Sequence, residues 1–151
     1  MRAISLHEPW ATLVAIGAKR FETRTWRPEY RGPLAIHASK KFTDSQRRLS
    51  SSVEFASPLL RAGILPSGGL VPTLGQVICV VDFAGAYETE YVFGHGGLVN
   101  PGSPEYKFGD YGPGRFVWDL RNVRRVKPFP WKGTQGFFFV PDELVAIQEA
   151  A

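Results

Sequence analysis

A chain of 151 residues with 44% hydrophobic and 21% charged residues is long enough to bury a core and is proportioned as a folded protein rather than a disordered one. It holds no apolar run near the roughly 18 residues that cross a bilayer, shows no secretory signal pattern, and its one cysteine excludes an internal disulfide framework. A single domain over 1–151, in a reducing cytoplasm, is expected. The net charge of +4 is uneven: residues 1–48 carry ten Lys/Arg against four Asp/Glu, residues 49–106 one against five, and residues 107–151 seven against five. A basic first third suits a protein that meets phosphates, and it suits a solubilising face equally well.

The run AISL (3–6) reads as a first strand. HEPWATLVAIGAK then predicts a helix of about two turns, with Pro9 in its first turn and Gly17 at the left-handed position that ends it. Trp10, Leu13, Val14 and Gly17 recur at helical spacing and form one inward stripe. FETRTW alternates, with Phe21, Thr23 and Thr25 on one face and Glu22, Arg24 and Trp26 on the other. LAIHAS (34–39) is a further strand. Residues 42–62 predict a helix, capped by Thr43 or Asp44.

QVICVVDFAGAY (76–87) is the longest strand candidate, and Cys79 within it reads as a small core residue. RFVWDLRNVRRV (115–126) and GFFFV (136–140) complete the β set, and the tail after Pro141 has helical character. Six short strands around two or three helices predict an α+β domain built on a small mixed β-barrel. Residues 84–114 hold eight glycines, three prolines and six Tyr/Phe, so a long loop is expected, ordered in part and most mobile near 94–104. Its aromatics either pack the loop onto the barrel or offer stacking faces to bases, and packing is the simpler reading.

Several sites are absent: no G-x-S-x-G elbow, phosphate-binding loop, H-E-x-x-H or C-x-x-C occurs. His7, His37 and His95 stand too far apart, without cysteine support, to suggest zinc, and no cofactor is expected. His37, in an apolar strand, reads as a hydrogen-bonded core residue.

The cations and aromatics at the front leave a different chemistry open. Lys19 and Arg24 can hold phosphate, the first as a point charge and the second as a fork. Trp10 or Trp26 can stack on a base. Glu22 either accepts from a base amino group, acts as a general base, or pairs with Arg20 or Arg24. His7 is a candidate polar group of the same cleft, and Arg31, Lys40 and Arg115 would widen the basic surface, although each alone reads as an ordinary surface residue.

A set of motifs joins these residues. S-L-x-x-P-W stands as Ser5, Leu6, Pro9 and Trp10, and G-x-K-x-x-E-x-R as Gly17, Lys19, Glu22 and Arg24. R-G-x-L-x-I-H-A stands as Arg31, Gly32, Leu34, Ile36, His37 and Ala38; F-G-D-Y-x-P-G-R-F-x-W and K-G-x-Q-G occupy 108–118 and 132–136. In this order the chain resembles the ASCH (activating signal cointegrator homology) domain, a branch of the PUA-like superfamily. The resemblance implies a small β-barrel with a cleft between the first helix and the sheet, lined by the signature residues, and a role in binding single-stranded RNA or a nucleotide. One branch of the family hydrolyses acylated cytidines with a Lys and a Thr of the signature strand plus a Glu. Here the position three after Lys19 is Glu22, which carries no hydroxyl. A hydrolase of modified cytidine, or a ribonuclease, with Lys19 and Glu22 as catalytic groups is therefore the alternative to a binding module. An adaptor that reads a protein partner is a third.

Overall fold

The alternation in FETR fixes the first strand-to-core relationship. Phe21 and Thr23 are buried while Glu22 and Arg24 remain half-buried on the opposite face. A computed structural model describes all residues except 65–69, 71, 95–96 and 150–151. Its elements are β1 (Arg2–Leu6), α1 (Trp10–Ala15), β2 (Phe21–Arg24), β3 (Gly32–Ala38), α2 (Asp44–Ser50), α3 (Val53–Arg61), β4 (Gln76–Glu88), α4 (Thr89–Gly94), α5 (Pro104–Lys107), β5 (Phe116–Pro130) and β6 (Phe138–Phe139), followed by a 3-10 turn at Asp142–Leu144.

Helix α1 starts behind Pro9 and stops where Gly17 takes a φ of 79°, a conformation that costs a residue with a Cβ far more. The predicted helix over 42–62 is two helices. Thr43 caps α2 in a reciprocal box with Gln46, and the chain breaks at Ser51 and Ser52 before α3. The Ser52 hydroxyl donates to the Leu49 carbonyl at 2.7 Å, one of the local bonds that compete with a continuous helix.

The strands form one sheet in the order β2-β5-β4-β3-β1-β6. β1 and β3 are parallel, and the other pairs are antiparallel. The sheet is not closed into a barrel, which corrects the architecture expected from the sequence. Its two outer strands, β2 of four residues and β6 of two, pair only inward, with β5 and β1. Five helices, rather than two or three, accompany it among the described residues, and α1 and α4 pack on its strands.

β4 is buried continuously from Val77 to Val81 because both of its faces are covered. On one side Leu6, Ile36, Phe83 and Trp118 pack with Val14 of α1, and on the other Ala3, Ala35, Val77, Val80 and Phe138 form a second cluster. Burial pushes the Cys79 thiol up to about 12, consistent with an inert core residue.

The long segment 84–114 is less of a loop than expected, since it contributes the end of β4, α4 and α5. Tyr111 packs with Phe21, Val92 and Val117, and Phe108 meets Phe55 at 5.0 Å, so these aromatics bind the segment to the body. Residues 95–96, including His95, at the tip expected to be most mobile, lie outside the described residues. No described helix is long and apolar enough to cross a membrane.

Candidate functional site

The parallel register of β1 and β3 sets Ser5 directly beside His37. The Ser5 hydroxyl lies 2.8 Å from His37 Nδ1, and His37 Nε2 lies 2.8 Å from the Trp131 carbonyl oxygen. A carbonyl only accepts, so Nε2 carries the ring proton; the neutral ring then leaves Nδ1 to accept from the Ser5 hydroxyl. Burial, with the Lys40 charge nearby, holds the His37 imidazole below its ordinary range and favours that neutral form.

Trp131 begins the connection between β5 and β6. Its N–H donates to the Gly75 carbonyl at 3.0 Å, which holds the start of the connection against the β4 entrance. A Cβ at Gly133 would overlap the Ser5 hydroxyl and lie 2.8 Å from His37 Cε1, so this backbone passes close over the Ser5–His37 pair and only glycine fits.

Around the pair opens a cleft of about 1080 Å³. Arg24, Lys40 and Lys132 line it together with His7, Trp26 and Trp131, and among the described residues none in its lining is an Asp or Glu. A second hollow of about 500 Å³ adjoins it, sharing Ser5, His7 and Arg24. There Trp10, Lys107 and two carboxylates, Glu22 and Asp110, line the wall. The groove is therefore purely cationic at one end and of mixed charge at the other.

The match of the ASCH domain family model spans residues 4–128. The chain belongs to the ASCH domain family. Human and mouse activating signal cointegrator 1 are each 34% identical to it over 83 residues, a stretch that is 51% of this chain and 14% of theirs. The chain thus spans about one-seventh of the length of these curated relatives. The crystal structure of ASCH from Zymomonas mobilis superposes with a TM-score of 0.53 at 14% identity, covering 94% of this chain and 88% of that one. A mutant of the same protein gives the same score and identity. At such identity the likeness concerns the fold. The family is a PUA-like module associated with RNA binding.

Within this ASCH domain the expected residues take different places. His7 and Arg24 line both compartments, Trp26 and Lys40 the larger, and Trp10 and Glu22 the smaller. Arg31 and Arg115 line neither. Arg31 donates to the Ala84 carbonyl at 3.2 Å, whereas Arg115 braces the wall of the smaller hollow through the Asp110 and Thr23 carbonyls.

Lys19 is the principal correction. It is 2% exposed, its ammonium donates to the Phe21 carbonyl, and it lies by a separate hollow with Arg20, Leu120 and Arg121. The turn after α1 tucks its side chain inward, with the Lys19 and Ala18 N–H groups both bonded to the Leu13 carbonyl. Among the described residues Lys19 and Glu22 therefore line different hollows, Lys19 the one beside Leu120 and Glu22 the one beside Trp10. Glu22 forms no ion pair with Arg20 or Arg24 among the described residues; it accepts from the Thr23 N–H at 2.9 Å, and Arg20 pairs with Asp119 instead.

Sequence reasoning assigned no role to Ser5, Trp131, Lys132, Thr134 or Gln135, all of which line the larger compartment, and read His37 as core. The K-G-x-Q-G run at 132–136 was the available signal, since a polar, glycine-rich connection between two strands is where a ligand meets backbone.

Proposed function

We propose that this ASCH domain binds single-stranded RNA or a nucleotide in the groove between the β1–β3 strands and the 130–136 connection. The observation that carries the reading is the charge of the larger compartment: Arg24, Lys40 and Lys132 around it and, among the described residues, no carboxylate in its lining. Three permanent cations facing one concavity repel one another, and an anionic ligand relieves that repulsion. Arg24 offers a planar fork to phosphate, and the two exposed lysines act as mobile point charges.

Trp26 and Trp131 are half-buried, so each holds its ring in the wall while part of it borders the groove. Trp26 is fixed edge-on by Trp118 at 4.8 Å and by Phe137 at 5.4 Å. A ring immobilised in this way meets a base with little loss of freedom, and base stacking contributes about 1–3 kcal/mol per base. In the smaller hollow, Glu22 has an oxygen available to accept from base N–H groups, while Trp10 supplies an apolar wall.

The test is photochemical crosslinking to a uridine-rich single-stranded RNA, with the adducts mapped by peptide mass spectrometry. Adducts within 130–136 and at His7 or Trp10 are expected. The outer half of β5 presents Arg121, Arg125 and Lys127 on an exposed surface; adducts confined to that surface would place the nucleic acid elsewhere. No RNA binding above that of a basic control protein would point instead to a protein partner.

A further inference from the structure

The Ser5–His37–Trp131 arrangement does more than line a cleft. From Ser5, Oγ to Nδ1 spans 2.8 Å, and from the far side of the ring Nε2 to a main-chain carbonyl spans 2.8 Å. That is a hydroxyl, a base with its lone pair on the hydroxyl, and a third group that fixes the base's tautomer, the relation by which an activated nucleophile is recognised irrespective of fold.

Three further observations set the pair apart from an ordinary buried hydrogen bond. His37 is 2% exposed, whereas Ser5 is half-buried and borders both compartments, so the base is dry while the hydroxyl is within reach of a ligand. Next to the hydroxyl passes a glycine, Gly133, whose missing side chain leaves the space beside Oγ free; an alanine there would overlap it. Finally, Arg24, Lys40 and Lys132 border the same space, so negative charge that develops on an oxygen beside Ser5 does so in a positive field.

We infer that Ser5 and His37 form a nucleophile–base pair that hydrolyses a carboxylic ester carried on an anionic, phosphate-bearing molecule. Ser5 Oγ attacks the ester carbonyl carbon as its proton passes to His37 Nδ1, giving a tetrahedral oxyanion and an imidazolium held by the Trp131 carbonyl. The carbon–oxygen bond to the alcohol then breaks, and the departing oxygen takes the proton from Nδ1. The Ser5 acyl ester that remains is attacked by water, which gives its proton to Nδ1, and the proton returns to Oγ as the carboxylic acid leaves. Ester and water give acid and alcohol, and no other reactant is consumed. The proposed nucleic-acid reading enters only in the anionic character of the substrate; the pair itself stands on its own geometry.

Two measurements decide it on the full chain. In the first, wild-type protein is incubated with a fluorophosphonate probe, and the modified residue is located by peptide mass spectrometry. A covalent adduct on Ser5, lost in His37→Gln, is the expected result. In the second, hydrolysis of 3′-O-acetyl adenosine 5′-monophosphate is followed against that of p-nitrophenyl acetate. Wild-type turnover of the phosphorylated ester is expected to fall by at least about 100-fold in Ser5→Ala and in Gly133→Ala.

An absence of any adduct on Ser5 in the folded wild-type protein overturns the inference, as does turnover that Ser5→Ala leaves unchanged. An adduct on Ser5 without RNA binding would retain the pair and sink the nucleic-acid reading; RNA binding without an adduct would do the reverse.

Discussion

Arg24 Nη2 donates to the main-chain oxygen of Ser5 at 2.9 Å, joining the last residue of β2 to β1 although three strands stand between them in the sheet. This bond shows how far the sheet curls without closing: β2 and β1 approach across its concave side, and the groove lies where they do. The Arg24 guanidinium also lies 5.9 Å from the centre of the Trp118 ring, so the side chain is held at both the backbone and the core. Arg24→Ala is expected to lower unfolding free energy by about 1–3 kcal/mol, the cost of a lost bond to a charged donor, and to weaken RNA binding at the same time. Lys40→Ala, on an exposed side chain, should change stability by no more than about 0.5 kcal/mol. Equal stability of the two variants in denaturant titration would mean that Arg24 does not hold the groove together.

Lys19 belongs to the framework. Lys19→Ala leaves the Phe21 carbonyl without its donor and empties a buried site. A loss of about 1–3 kcal/mol in denaturant titration is expected, with RNA affinity unchanged once the protein is folded. A fully stable variant that no longer binds would instead return Lys19 to the ligand site.

Glu8 gives the fold a dependence on pH. It is 0% exposed beneath α1, Oε2 accepts from the Thr12 hydroxyl at 2.6 Å, and Oε1 has no partner among the described residues. Burial raises its carboxyl from 4.5 to about 7. Below pH 4.5 the group is neutral in both the folded and the unfolded chain, and its burial carries no charge penalty. As pH rises from there, the unfolded chain ionises first and the folded state loses about 3 kcal/mol relative to it by the time pH passes 7. Glu8→Gln, which cannot ionise, should therefore be more stable than wild type at pH 8 and show no such decline. Parallel denaturant titrations of the two proteins at pH 5 and pH 8 check this; the same drop in both would remove Glu8 as its source.

Trp131 joins the core on one side and the groove on the other, packing beside Val77, Val126 and Phe138. Trp131→Leu keeps apolar volume there and removes the ring. Affinity for single-stranded RNA should fall by about 1–3 kcal/mol, the contribution of one stacked base, with a smaller change in stability. Unchanged affinity in fluorescence anisotropy would exclude this ring as a stacking face.

What could be read beforehand was what depends on near neighbours. The two faces of Phe21–Arg24, the end of α1 at Gly17 and the Thr43 cap follow from spacing and from single residues, and each stands where local chemistry placed it. Lys19 reads as a ligand-holding cation of the cleft from its motif; its burial depends on how the chain turns after α1 to reach β2. Ser5, His37 and Trp131 lie 32 and 94 residues apart along the chain; the parallel β1–β3 register brings the first two together, and the bond of the Trp131 N–H to the Gly75 carbonyl helps hold the third beside them. The open sheet was likewise hidden, because strand count does not say whether the outer strands pair.

The central claim is that the larger compartment grips phosphate. It is tested most directly by the salt dependence of single-stranded RNA binding in wild type and in the double variant Lys40→Ala/Lys132→Ala, both side chains being exposed in the lining of that compartment. If each lysine neutralises one phosphate, the slope of log affinity against log salt should become shallower by about 1.4 in the double variant, with affinity at low salt reduced at least about tenfold. An identical slope and affinity in the two proteins would contradict the claim, since phosphate held in this compartment cannot be indifferent to two of its three permanent cations.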